Sequence, residues 1–100
     1  MVRHIVIWDH LDGLSAEEKA ANGTKIKQAL EGLLGEIPGL ISITIYTDLL
    51  TGSNAGVVLD SVFESSDALF AYQEHPAHVK VASGIVRPNT RNRRCADYEM

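Results

Sequence analysis

The densest group of acid–base side chains in the sequence lies in one short stretch, Tyr72-Gln73-Glu74-His75-Pro76-Ala77-His78. Proline fixes φ and lacks an N–H donor, so Pro76 suits the first turn of a helix and ends the helix before it. We therefore predict a short helix, a kink beside His75, and a second short helix. His78 lies three residues after His75, on a neighbouring helical face. The kinked helix thus brings a phenol and two imidazoles close together.

Four segments around the helical regions are rich in β-branched and aromatic residues, which predicts β-strands. They are Val2–Trp8, Leu40–Asp48, Val57–Phe63 and Thr90–Glu99. In the first strand His4 and Trp8 share one face, because side chains alternate along a strand. Taken alone, His4 is typical of a core histidine with one hydrogen bond.

A longer helix is predicted between the first two strands. Ser15 and Glu18 fit a capping box, and Pro38-Gly39 ends the helical pattern. One apolar stripe at helical spacing follows the cap: Ile26, Leu30, Leu33, Leu34 and Ile37. In the kinked second region, Pro88 is predicted to stop the helix.

The resulting order, β-α-β-β-α-β, predicts a ferredoxin-like α+β subunit in a single domain over residues 1–100. Its four-stranded antiparallel sheet carries both helices on one face. The first and third strands nevertheless have large apolar residues on both faces, such as Ile5 and Trp8 or Val58 and Leu59. A small monomer rarely exposes such a patch to water, so we expect a homodimer formed sheet against sheet.

The composition of the chain argues against several classes of function. The net charge of −4 argues against a general nucleic-acid binder. No apolar run approaches the roughly 20 residues of a membrane span, and the start of the chain leads directly into a strand. The single Cys95 favours a reducing, cytoplasmic location. With no dinucleotide, P-loop or clustered ligand motif, no organic cofactor is expected.

A metal site is the weaker interpretation of the histidines. His4, His75 and His78 could supply three imidazoles to zinc. His75 and His78 need not converge across a proline kink, however, and no carboxylate nearby completes the set. The prediction is therefore no metal.

Several segments together resemble the Dabb family, the stress-responsive dimeric α+β barrel proteins. They are Val2-Arg3-His4-Ile5-Val6, Phe63-Glu64-Ser65, His75-Pro76-Ala77-His78 and Asp97-Tyr98. The resemblance covers nearly the whole chain and keeps the order of elements. It implies a ferredoxin-like subunit whose sheet joins a partner's sheet in a barrel.

Within that family, the olivetolic acid cyclases close a polyketide ring by aldol condensation without a metal or cofactor. Resemblance to them implies that Tyr72 and His78 are a catalytic pair and that His4 lines the same pocket. Trp8, Leu59 and His75 complete the predicted binding residues. Val57 stands where the cyclases have a further histidine, and Trp8 is bulkier than the aliphatic residue found there.

Three hypotheses for function follow. The first is a small-molecule pocket beside Tyr72 and His78 with cofactor-free acid–base chemistry of a cyclase or lyase type, on a small apolar or polyketide-like ligand. The second is a non-catalytic stress-responsive dimer that binds a ligand or is purely structural. The third is a cofactor-free monooxygenase, since small oxygenases share this dimeric architecture. Fold alone does not decide among them.

Overall fold

Four antiparallel strands form one sheet in the computed structural model, which describes residues 1–100. The strands are β1 (Val2–His10), β2 (Leu40–Tyr46), β3 (Val57–Phe63) and β4 (Thr90–Glu99). Their order across the sheet is β2-β3-β1-β4. The predicted ferredoxin-like α+β fold is therefore confirmed, with β1 two residues longer and β2 two residues shorter than the sequence pattern indicates.

The helical segments cover one face of this sheet. They are α1 (Ala16–Glu31), α2 (Ser66–Glu74), α3 (Pro76–Val81), a π-helical turn (Ala82–Val86) and α4 (Arg87–Asn89). α1 begins with the predicted capping box, in which Ser15 Oγ accepts from the Glu18 N–H and Glu18 Oε1 accepts from the Ser15 N–H. No helix is long and apolar enough to cross a bilayer.

The first helix ends at Glu31, earlier than its apolar pattern predicts. Gly32 closes it, and Gly35 has a φ of +88°, a left-handed conformation that no α-helix contains. Leu33 and Ile37 remain buried because the turns after the helix still face the sheet. Leu34, predicted on the same stripe, is half exposed.

Helical structure also continues past the predicted stop at Pro88. The N–H of Arg87 donates to the carbonyl of Ala82, five residues back, which defines a π-helical turn. Pro88 then lies in the first turn of α4, where a missing N–H donor costs little. The helix ends only at Asn89, directly before β4.

The two faces of the sheet differ in what covers them. Val6 and Trp8 point toward the helices and are buried. Ile5 and Ile7 point to the opposite side, which no helix covers. We call this second side the open sheet face; its residues on the two central strands are Arg3, Ile5, Ile7, Val58, Asp60 and Val62. An irregularity in the pairing at the start of β2 leaves Ile41 exposed, although the alternation predicts that it shares a face with Ile43.

Candidate functional site

The kink between α2 and α3 positions the candidate site. His75 is extended, with φ −63° and ψ 133°, and the new helix begins at Pro76, as the sequence predicts. The Nδ1 atom of His75 accepts a hydrogen bond from the Ala77 N–H at 3.1 Å. This imidazole therefore caps α3.

A cavity of about 270 Å³ lies between the sheet and the kinked helix. Val6, Trp8, Leu30 and Leu59 supply much of its apolar wall. Small-molecule sites are typically apolar clefts of this kind with a few placed polar groups. Here the polar groups are His4, Tyr72, Gln73, His78, Arg87 and Arg93. No Asp or Glu side chain lines the cavity.

Tyr72 lies in the middle of a group of three rings, between Phe63 and His78. Its ring centroid lies 4.9 Å from that of Phe63 and 4.2 Å from that of His78, and only 1% of the residue is exposed. Burial raises the pKa of the Tyr72 phenol far above its usual 10, although the nearby charge of Arg93 opposes the shift. The phenol consequently keeps its proton, and its hydroxyl, which bonds to no other protein group, is a donor available to a ligand.

His78 is half-buried at the same cavity. Its Nδ1 atom lies 3.3 Å from the carbonyl oxygen of Gln73. A carbonyl only accepts hydrogen bonds, so Nδ1 carries the proton and Nε2 is the basic nitrogen. Burial lowers the pKa of His78, the bond to Gln73 opposes this, and the charges of His4, Arg93 and Arg87 lower it further. The imidazole is therefore neutral near pH 7 and able to accept a proton.

A second histidine enters the cavity from the sheet. His4 is only 2% exposed, and its Nδ1 atom pairs with Oδ1 of Asp97 on β4. The carboxylate fixes the proton on Nδ1 and leaves Nε2 free. Asp97 was not predicted as a site residue, yet the register pairs His4 directly with Asp97. Aligning β1 with β4 as neighbouring strands of the predicted sheet would have placed Asp97 opposite His4.

Two arginines complete the polar lining, and the sequence assigned neither to the site. Arg93 lies on the same side of β4 as Cys95 and Asp97, facing the helices. Arg87 directly follows the π-helical turn, and its side chain also lines the cavity. An extra residue in a helical turn rotates the following side chains, which helical periodicity does not anticipate.

The structure thus brings together five of the six residues predicted for the site, leaving out His75. They are His4, Trp8, Leu59, Tyr72 and His78. The alternative zinc set does not form, because no group of three or more His, Cys, Asp or Glu side chains is arranged around a common point.

Comparison with known proteins gives one family and many similar folds. The model of the stress responsive A/B barrel domain, Dabb, matches residues 2–100. A dimeric ferredoxin-like protein from Bacteroides fragilis is 30% identical, with a TM-score of 0.89 over 99% of this chain and 95% of that one. No curated protein matches the chain.

Two further solved structures share the fold at lower identity. A Dabb family protein from Mesorhizobium loti is 18% identical, with a TM-score of 0.74 over 99% of this chain and 95% of that one. A hydroxynitrile lyase from Passiflora edulis is 19% identical, with a TM-score of 0.76 over 99% of this chain and 92% of that one.

Proposed function

The chain belongs to the stress responsive A/B barrel (Dabb) family, and on that premise we propose that it is a homodimer whose subunits bind a small, mostly apolar molecule beside Tyr72 and His78 and catalyse cofactor-free proton transfer there. The observation that carries the proposal is the hydrogen bond from His78 Nδ1 to the Gln73 carbonyl. It leaves Nε2 of a neutral imidazole as the base of a mostly apolar cavity.

The reaction class follows from the pair of groups. His78 Nε2 removes a proton from a carbon next to a carbonyl, and the electron pair of the broken C–H bond becomes an enolate. The Tyr72 hydroxyl donates a hydrogen bond to the carbonyl oxygen as its negative charge develops. The enolate then attacks a second carbonyl, as in a ring closure, or takes the proton back. The reverse sequence cleaves a carbon–carbon bond, the lyase direction.

Homodimerisation is supported by the open sheet face. Ile5, Ile7 and Val58 are only partly covered in the single subunit, as expected for a surface that a second sheet would bury. One ion pair crosses this apolar area, with Arg3 Nε 3.3 Å from Asp60 Oδ1. The similar protein from Bacteroides fragilis is dimeric.

A non-catalytic binding module is the second candidate. The observation that favours it is the burial of Tyr72 between Phe63 and His78, since a packed phenol can stabilise the fold without taking part in a reaction. The two candidates differ in one readout, because only a catalyst speeds the exchange of the ligand's carbon-bound hydrogen with solvent above the rate measured without protein.

Deuterium exchange tests the catalytic proposal directly. A panel of β-keto thioesters and aryl ketones is incubated with the protein in D₂O, and loss of the α-proton signal is followed by NMR. We expect exchange with the unchanged protein and with His10→Gln, a histidine outside the cavity, and its loss in His78→Gln. Equal exchange in His78→Gln would reject His78 as the base.

A further inference from the structure

The two cavity arginines lack acidic partners. Neither Arg87 nor Arg93 takes part in any ion pair of the subunit. The side chain of Arg87 makes one long contact, from Nη1 to Ser83 Oγ at 3.4 Å. Asp97, whose carboxylate contacts the cavity residue His4, forms its only ion pair with that histidine.

Other arginines on the same strand are paired. Arg91 and Arg94 both contact Asp9, at 3.8 Å and 3.2 Å, and Arg91 also contacts Asp12. The chain holds 13 acidic residues against nine basic ones, so acids are not scarce. Both cavity arginines are exposed in the subunit, so their unpaired guanidinium groups are available to an anion that enters the cavity they line.

We propose that the ligand of this cavity is a small organic carboxylate with an apolar body, and that Arg87 and Arg93 bind its carboxylate. The inference rests on the proposed function, because it names the substrate class of the same site. A guanidinium offers a planar set of donors that matches both oxygens of a carboxylate. No acidic side chain in the lining competes for these donors or repels the ligand.

The arginines are close enough to act on the acid–base pair. After burial, which is the main cause, the positive charges of Arg93 and Arg87 contribute to the low pKa of His78. Arg93 also acts on the phenol of Tyr72, where it opposes the effect of burial. A carboxylate held by these groups therefore lies within electrostatic reach of the proposed base.

The size of the cavity limits the rest of the ligand. A volume of about 270 Å³ corresponds to roughly nine water molecules at about 30 Å³ each. The ligand therefore has on the order of ten non-hydrogen atoms. Its apolar part would contact Val6, Trp8 and Leu59, and an aromatic body suits the indole of Trp8.

A matched pair of probes tests the charge. Phenylacetate and phenylacetamide have the same number of non-hydrogen atoms and differ in the anionic group. Binding is measured by NMR from the ring signals of Tyr72 and His78 at low salt. We expect phenylacetate to bind about fivefold more tightly than phenylacetamide. The double variant Arg87→Gln/Arg93→Gln should lose this preference, and Arg91→Gln/Arg94→Gln, whose arginines pair with Asp9, should keep it.

The outcomes separate this inference from the proposed function. Equal affinities for the two probes would overturn the anionic ligand and leave the pocket as a binding site. No shift of either ring signal with either probe would overturn both proposals. A preference that survives in Arg87→Gln/Arg93→Gln, or acetate binding as tightly as phenylacetate, would also overturn the assigned site.

Discussion

The Nδ1 atom of His78 lies 3.3 Å from the carbonyl oxygen of Gln73, a residue five positions earlier on the other side of the kink. This contact joins α2 to α3 and fixes the tautomer of the imidazole. The same hydrogen bond therefore has a structural and a chemical consequence, and the two can be measured separately.

Protonation of His78 should destabilise the fold. Burial lowers the pKa of His78 below its ordinary 6.5, so the unfolded state binds the proton more readily. The stabilising contribution of the neutral imidazole is complete above pH 6.5 and is lost as the pH falls through the folded pKa. Urea unfolding between pH 5 and 8 should show this decline, and His78→Gln should reduce it.

Because the pKa of His10 is also lowered by burial, part of the decline should remain in His78→Gln. NMR titration of each ring assigns the two contributions. A His78 that titrates above pH 6.5 would contradict the expected sign.

Replacing Tyr72 by Phe should leave the fold intact and slow the reaction. The ring contacts with Phe63 and His78 are kept, and the hydroxyl has no protein partner to leave unsatisfied. The melting temperature should stay close to that of the unchanged protein. Loss of one donor to a developing oxyanion typically slows a reaction by about a hundredfold or more. A large drop in melting temperature with unchanged exchange would instead assign Tyr72 to stability alone.

The sequence predicted the elements well where local signals agree with packing. The capping box at Ser15 and the break at Pro76 are determined by neighbouring residues, so they were correct. The end of α1 was wrong because apolar spacing continues to Ile37 through turns that Gly32 and Gly35 impose. Spacing alone does not distinguish a helix from turns that bury the same side chains.

The candidate site was predictable only in part, because local sequence patterns do not show which distant residues come together. Tyr72 and His78 come from one short segment, whereas Asp97 and Arg93 enter through strand pairing, and Arg87 enters through a π-helical turn. Long-range register and helical irregularity are products of tertiary packing. The sequence shows which chemical groups these residues carry, but it does not show that they meet at one cavity.

Glu31 should stabilise the free edge of β2. Its Oε2 atom accepts from the Ile45 N–H at 2.9 Å and from Lys27 Nζ at 2.7 Å, and Lys27 Nζ also donates to the Ile45 carbonyl at 2.8 Å. The side chains thus satisfy backbone groups that an edge strand would otherwise leave unpaired. Glu31→Ala should cost about 1–3 kcal/mol of unfolding free energy. Glu17→Ala, on the exposed first turn of α1, is the control.

The contribution of Glu31 should depend on pH in a defined direction. Burial raises the pKa of Glu31, but the bonds from Lys27 and the Ile45 N–H outweigh it, and the net pKa lies below 4.5. The stabilisation is therefore complete above pH 4.5 and is lost as the pH falls through the folded pKa. A stability difference between Glu31→Ala and the unchanged protein that persists in stronger acid would disprove the charged role.

A negative charge on the open sheet face should separate the proposed dimer. Val58 is half-buried in the single subunit and pairs with Ile7, so Val58→Asp places a carboxylate where two sheets would meet. Burying an unpaired charge costs several kcal/mol, more than a marginal interface tolerates. Sedimentation equilibrium should show a dimer for the unchanged protein and a 10.9 kDa monomer for Val58→Asp.

Val79→Asp, at an exposed position on α3, should remain dimeric. Circular dichroism must show that Val58→Asp stays folded, and a folded Val58→Asp that is still dimeric would move the interface to another surface.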